Sequence, residues 1–71
     1  MSDRTPPHDL EAERALLGAI LTRPSILTDL VAILDPTDFY QSTHQHAYAA
    51  MLELWEQGRA IDAVTVRDLC E

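Results

Sequence analysis

The sequence has few of the residues that cross-link a small protein or give it a positive surface. Its only cysteine is Cys70, so no disulfide can form within the chain, which fits a reducing cytoplasm. Five basic residues stand against twelve acidic ones, for a formal net charge of -7. Because phosphate contacts require Lys or Arg, we expect no nucleic-acid surface built by this chain alone. An acidic surface suits solubility and basic protein partners.

Long hydrophobic runs and catalytic motifs are also missing. The longest apolar run, from Ala15 to Leu21, is far shorter than the roughly 20 residues that cross a bilayer, and the N-terminus has no signal-peptide pattern. We therefore expect no membrane contact. The chain has no Gly-rich phosphate loop, no nucleophilic serine motif and no Cys-His pair in a nucleophile context. These absences predict that the chain by itself is not an enzyme.

Histidines are the candidate metal ligands, namely His8, His44 and His46, with Cys70 or Glu53 as extra ligands. His44 and His46 are two residues apart and on a helix would point to different sides, unlike the i, i+4 pair of a helical zinc site. We therefore predict no metal site. His44 is instead expected to form hydrogen bonds on the inner side of a helix start, and His46 to be exposed.

Apolar residues at helical spacing are abundant, and the strongest pattern covers residues 42–57. Four large side chains recur there at i, i+3, i+4 and i+7: Tyr48, Met51, Leu52 and Trp55. We predict that Ser42 caps this helix in a capping box with Gln45 and that Gly58 ends it. The helix contains no Lys or Arg, which argues against a DNA-recognition helix.

A first helix is predicted to begin near Asp9, with Glu13 in its early turns close to the positive end of the helix dipole. Its apolar side comprises Leu10, Leu16, Leu17, Ile20 and Leu21. Gly18 in its middle predicts a close helix neighbour at that point. Glu13 borders the apolar side, so it is either solvated or a hydrogen-bond acceptor for a neighbouring helix.

Prolines and aspartates mark the remaining elements. A second helix, apolar over more than half its circumference, is predicted from Pro24 to Leu34. A capped turn over residues 35–38 then swings Phe39 inward. A fourth helix begins after Asp62 or after Thr65, and we prefer Asp62. The sequence thus predicts an all-α fold of about four helices without a β-sheet, with a flexible arm over residues 1–7 and one helical domain over residues 8–71.

Taken in order, a set of short motifs resembles the N-terminal domain of DnaB-type bacterial replicative DNA helicases. The motifs are Pro7-His8-Asp9, Glu11-Ala12-Glu13, Leu17-Gly18-Ala19-Ile20-Leu21, Asp38-Phe39-Tyr40, His44-Gln45-His46-Ala47-Tyr48, Gly58, Ile61-Asp62 and Val64-Thr65-Val66. The resemblance runs from about Pro6 to Leu69. It implies a small orthogonal helical bundle that is truncated at its C-terminal end.

The resemblance also implies a function. In that family the N-terminal domains form a non-catalytic collar on a hexameric ring, contact neighbouring subunits and dock the C-terminal domain of primase. ATP and magnesium bind the separate ATPase domain of the full-length helicase, so no cofactor is expected here. The alternative is a free-standing acidic helical adaptor or regulator. A reading frame that continues past Glu71 into a phosphate-binding loop would eliminate that alternative.

The resemblance assigns structural roles to nine residues: Glu13, Gly18, Asp38, Phe39, His44, Tyr48, Trp55, Gly58 and Asp62. We hypothesise a hydrogen bond from His44 to a carboxylate or carbonyl of the preceding loop. The exposed residues proposed as a partner surface are Glu53, Glu56, Gln57 and Arg59, because acidic side chains could meet a basic partner.

Overall fold

The computed structural model describes residues 9–70, and all regular structure within that range is helical. The elements are α1 (Leu10–Thr22), a 3-10 turn (Pro24–Ile26), α2 (Leu27–Leu30), a second 3-10 turn (Pro36–Asp38), α3 (Ser42–Glu56) and α4 (Ala63–Cys70). The predicted all-α class is confirmed for these residues. The predicted arm over residues 1–7 and the candidate ligand His8 lie outside them.

Helix α1 begins as its sequence predicts. The Asp9 carboxylate accepts the backbone N–H of Ala12 at 3.1 Å and so satisfies one of the unpaired amides of the first turn. Leu17 and Ile20 form the buried face. Leu10 was expected on this face but is exposed, because it lies at the very start of the helix.

The prediction of one continuous second helix from Pro24 to Leu34 is wrong. Residues 24–26 form a 3-10 turn without a side-chain cap, and only residues 27–30 are α-helical. Two features of the sequence account for the early end: Val31 and Ile33 are β-branched, and the residue before Pro36 must leave the helical region. Leu27 from this segment is nonetheless fully buried.

The capped turn predicted over residues 35–38 is present at Pro36–Asp38, and its cap is a reciprocal capping box. Asp35 accepts the Thr37 backbone N–H at 3.1 Å, and the Asp35 N–H donates to Asp38 Oδ2 at 2.7 Å. Thr37 Oγ1 also donates to Asp35 at 2.6 Å. The hydroxyl and backbone N–H of Thr37 together hold the pKa of Asp35 below its usual value. Immediately after this turn the Phe39 side chain enters the core, 4% exposed.

Helix α3 starts at Ser42, but the capping box predicted between Ser42 and Gln45 is wrong. The residue at the N-cap is Gln41, and the Gln45 amide reaches back to donate to the Phe39 carbonyl at 2.7 Å. At the other end Gly58 has a φ of +70°. The Gly58 N–H donates to the Trp55 carbonyl at 3.1 Å and the Arg59 N–H to the Leu54 carbonyl at 2.9 Å, which is the Schellman pattern of a helix end.

The buried face of α3 differs from the predicted one. The fully or nearly fully buried side chains are Tyr48, Ala50, Met51 and Leu54. Trp55, predicted to pack in the core, is 37% exposed, and Leu52 is half-buried. Because successive residues are about 100° apart on a helix, a face centred on Ala50, Met51 and Leu54 leaves Leu52 and Trp55 at its edge.

Helix α4 begins after Asp62, which confirms the preferred alternative. The Asp62 carboxylate accepts the Thr65 N–H at 2.9 Å, and Thr65 Oγ1 accepts the Asp62 N–H at 3.0 Å. The two residues considered as rival caps are therefore partners in one capping box. Ile61 and Val66, on either side of the cap, both join the core.

One cluster of buried apolar side chains holds these elements together. Its fully buried members, drawn from α1, α2 and α3, are Ile20, Leu27, Tyr48, Met51 and Leu54. Leu17, Phe39, Ala50, Ile61 and Val66 surround them. Among residues 9–70 no charged side chain is buried, and the one polar side-chain group in the core is the Tyr48 hydroxyl. The polar contacts that position the candidate site therefore lie at the rim of the core.

The two glycines are expected to respond in opposite directions to alanine. Gly58→Ala places a Cβ on a left-handed residue and should destabilise the fold by about 1 kcal/mol. Gly18→Ala is the matched control, since Gly18 lies inside α1 and a Cβ there would meet no described atom within 4 Å. It should stabilise by about 0.5–1 kcal/mol. Urea unfolding followed by circular dichroism measures both changes.

The same geometry overturns the expectation that Gly18 makes room for a neighbouring helix, since the position is exposed and open in the part of the chain that is described. A destabilising Gly18→Ala substitution would contradict this placement of Gly18. A neutral Gly58→Ala substitution would contradict the strained helix end.

Candidate functional site

A polar network joins α1 to the beginning of α3. The Glu13 carboxylate accepts hydrogen bonds from the Tyr40 backbone N–H and from His44 Nδ1, the latter at 2.7 Å. A longer contact of 3.5 Å links the Gln41 N–H to Glu13 Oε1. The Glu13 and His44 side chains are only 12% and 15% exposed. The network spans 27 to 31 residues of sequence and ties two helices at one point.

The start of α3 explains why a carboxylate is needed there. Gln41 is the N-cap and makes no capping bond with its own side chain. In a capping box an acidic residue three positions into the helix accepts the N-cap N–H, but here that position is His44. Glu13 takes this role from a different helix and accepts hydrogen bonds from the backbone N–H groups of Tyr40 and Gln41 at the start of α3. His44, which cannot be the acid, binds the same carboxylate.

Charge and protonation follow from these contacts. An ionised carboxylate can only accept hydrogen bonds, so His44 Nδ1 must carry a proton when it faces Glu13. Burial by itself raises the pKa of Glu13, but the hydrogen bonds from the Tyr40 N–H, His44 and the Gln41 N–H outweigh it, and the pKa lies below its usual value. The network therefore holds Glu13 in its charged form.

An aromatic group packs beneath this network. The Phe39 ring lies edge-on to His44, with centroids 6.4 Å apart and planes at 76°, and 5.2 Å from the Tyr48 ring. The Tyr48 hydroxyl donates to the Leu34 carbonyl at 3.0 Å. Burial, together with the negative charges of Asp35 and Asp38, raises the pKa of Tyr48. Tyr48 thus acts as a neutral hydrogen-bond donor that fixes the chain at Leu34, beyond the end of α2.

The residues singled out from sequence fall into two groups. Glu13, Asp38, Phe39, His44 and Tyr48 lie at or near the start of α3. Trp55, Gly58 and Asp62 lie at or beyond its other end, and Trp55 is about 16 Å along the helix from His44 at about 1.5 Å per residue. Gly18 lies on the exposed side of α1. The structure therefore contains one polar tie and one helix-to-helix connection, not a single site.

The structure changes the expected partner of His44, which is Glu13 of α1 and not a group of the preceding loop. Sequence analysis also missed Gln41 as the N-cap of α3 and Leu54 as a core residue. A local signal existed only for Glu13, whose position at the border of the apolar face allowed a tertiary hydrogen bond. Gln41 carries no comparable mark, because glutamine is not a preferred capping residue.

Residues 9–70 contain no group of three or more His, Cys, Asp or Glu side chains arranged to hold a metal ion. His46 is exposed, and the nearby Cys70 thiol contacts its backbone carbonyl at 3.6 Å and not its ring. Glu13 and His44 are both used in tying α1 to α3. No helix in this part of the chain is long and apolar enough to cross a membrane.

The four residues predicted as a partner surface are all exposed around the end of α3. They form a short chain of contacts: Gln57 Nε2 donates to Glu53 Oε2 at 3.4 Å, and an Arg59 guanidinium nitrogen donates to Gln57 Oε1 at 3.2 Å. Glu56 completes the set. These contacts are solvent-exposed, so they orient the side chains and add little stability.

Comparison with known proteins identifies the family. Residues 5–71 match the family described as DnaB-like helicase N terminal domain. Over 66 residues the chain is 50% identical to the replicative DNA helicase DnaC of Bacillus subtilis, and over 65 residues 45% identical to the replicative DNA helicase DnaB of Geobacillus stearothermophilus. These matches cover 93% and 92% of this chain but 14% of each relative.

No solved structure matches the chain significantly. The family match nevertheless covers nearly every residue and includes Glu13, His44 and both ends of α3. The chain belongs to the DnaB-like helicase N-terminal domain family.

Proposed function

We propose that this chain is the non-catalytic collar module of a hexameric replicative DNA helicase, which supports ring assembly and recruits primase in the cytoplasm. The observation that carries the proposal is the family match over residues 5–71, together with relatives named as replicative DNA helicases. ATP and magnesium would act in the ATPase part of the full-length helicase, since these 71 residues contain no phosphate-binding loop.

The geometry supports a scaffolding role. Glu13 and His44 are hydrogen-bonded to each other, and Glu13 also accepts a backbone N–H at the start of α3. The polar network therefore holds the fold together, and neither side chain of the pair is free for acid-base chemistry. Ile33, in the turns after α2, is 75% exposed and offers an apolar contact to a neighbouring subunit. Rigid helices with exposed apolar and charged side chains are what an assembly module requires.

The proposed primase surface lies at the end of α3, where Glu53, Glu56, Gln57 and Arg59 are exposed. Two carboxylates one turn apart give this surface a negative charge. Charge complementarity steers association and fixes orientation, so a basic face on the C-terminal domain of primase is the expected counterpart.

Reversing the charge of Glu53 and Glu56 together is expected to weaken primase binding about tenfold, because two exposed charge pairs each contribute up to about 1 kcal/mol. The experiment records nitrogen-proton correlation spectra of the chain alone and with the primase C-terminal domain. Wild-type peaks that shift should cluster around residues 53–59. Circular dichroism verifies that the variant is folded.

Glu11→Lys is the matched control, since Glu11 is an exposed acidic residue on α1, away from the end of α3. It should bind primase nearly as tightly as the wild-type chain. Equal affinity of the double reversal and the wild type would eliminate this surface. Peaks that do not shift at all would place the primase contact elsewhere in the helicase.

A further inference from the structure

An open depression lies between the 3-10 turn at Pro24–Ile26 and the connection from α3 to α4. It has a volume of about 560 Å³ and is lined by Pro24, Trp55, Arg59 and Ile61, among others. Ile61 is 8% exposed and forms part of its apolar floor, whereas Trp55 is 37% exposed at its wall. A partly exposed tryptophan beside a proline provides a flat apolar surface for a side chain from another molecule.

Positive charge accompanies this depression in a chain whose net charge is -7. Arg59 lines it directly, and Arg23 is the chain neighbour of the lining residue Pro24. Both arginines are exposed. Within residues 9–70 the only ion pair joins His44 to Glu13, so neither arginine forms an ion pair with a described carboxylate. The hydrogen bond from Arg59 goes to the neutral amide of Gln57.

We propose that this depression binds an acidic peptide segment of a partner protein, with one large apolar side chain against Trp55 and a flanking carboxylate at Arg59. The guanidinium favours carboxylates because its N–H groups match both oxygens. The open, shallow shape suits a short extended peptide. The site shares Arg59 with the proposed primase surface but adds Pro24, Trp55 and Ile61. It also takes a partner of the opposite charge, since the primase surface calls for a basic partner at Glu53 and Glu56.

The only tryptophan of the sequence is Trp55, so its fluorescence reports directly on this site. The probe is the blocked peptide acetyl-Asp-Glu-Leu-Phe-Glu-Asp-amide, titrated into the full 71-residue chain. We expect a saturable change in Trp55 emission that weakens as salt is added. The same peptide with Asn and Gln in place of its acids should bind at least about fivefold more weakly.

Two arginine variants complete the test. Arg59→Gln should weaken the acidic peptide about fivefold, whereas Arg67→Gln, an exposed arginine of α4 that does not line the depression, should leave affinity unchanged. Calorimetry with Trp55→Phe, verified as folded, should show reduced affinity. Equal binding of the acidic and amide peptides, an equal loss in both arginine variants, or no emission change would overturn the proposal. The two proposals are distinguished by the sign of the partner's charge: the Glu53 and Glu56 reversal should weaken primase binding but not acidic-peptide binding, whereas Arg59→Gln should weaken acidic-peptide binding.

Discussion

Leu54→Ala is expected to lower the free energy of unfolding by about 2–5 kcal/mol, the usual range for a buried leucine whose removal leaves a cavity. Leu54 is fully buried in the centre of the core, beside the fully buried Met51 and Tyr48 in the same cluster. A 71-residue domain has a small core and a small total stability, so a loss of this size should leave much of the population unfolded near room temperature. Urea unfolding followed at 222 nm measures the loss.

Ile33→Ala is the matched control, because it also removes apolar carbons from an aliphatic side chain. Ile33 is 75% exposed, so its loss should change the stability by no more than about 0.5 kcal/mol. Equal losses at the two positions would mean that the core is not centred on Leu54. A small loss at both would have the same meaning.

Leu54 also shows which features of α3 can be predicted from the sequence and which cannot. The spacing of apolar residues predicts that residues 42–57 form a helix with one buried face, and α3 covers residues 42–56. The spacing does not fix the direction of that face, because Leu52, Leu54 and Trp55 are all apolar. The direction depends on where α1 and α4 pack, and those contacts lie outside any local pattern.

The ends of helices could be predicted from the sequence where a nearby side chain or the local backbone is enough to cap the helix. Asp9 and Asp62 cap their helices through groups three residues away, and Gly58 ends α3 through its own backbone conformation. Such interactions involve only residues that are close in sequence, so a local pattern reveals them. The prediction of a continuous helix after Pro24 was wrong because it relied on the apolar content of the segment. The β-branched residues of that segment and the proline that follows it disfavour a longer helix.

The start of α3 could not be predicted from its own residues. Its N-cap, Gln41, makes no capping hydrogen bond with its own side chain. The acceptor of the Gln41 N–H is the carboxylate of Glu13, 28 positions earlier in the sequence. Sequence indicated that Glu13 borders an apolar face and that His44 seeks a partner. Pairing the two required knowing that α1 crosses α3 at this point.

Glu13→Gln tests this tie and is expected to lower the free energy of unfolding by about 2 kcal/mol at neutral pH, the scale of hydrogen bonds to a charged acceptor. The glutamine keeps the shape but loses the charge, and its NH₂ group must face either the Tyr40 N–H or the protonated Nδ1 of His44. Glu11→Gln, on an exposed part of α1, should change stability little. Thermal and urea unfolding provide the values.

His44→Ala separates the two halves of the tie. It removes the 2.7 Å contact and leaves the backbone amides of Tyr40 and Gln41 on Glu13, so its effect should be smaller than that of Glu13→Gln. A double-mutant cycle should show a coupling between the two positions, because they share one interaction. An unchanged melting temperature in His44→Ala would count against the hydrogen bond.

The pH dependence of Glu13→Gln gives the most specific result. The pKa of Glu13 in the folded chain lies below its ordinary value of 4.5, so the unfolded chain takes up the proton first as the pH falls. The stabilisation is therefore complete above pH 4.5 and is lost as the pH falls through the folded pKa. Below about pH 5 the stability difference between wild type and Glu13→Gln should shrink as the pH falls. A difference that grows as the pH falls from about 5 would mean that the hydrogen bonds at the start of α3 do not hold the folded carboxylate in its charged form.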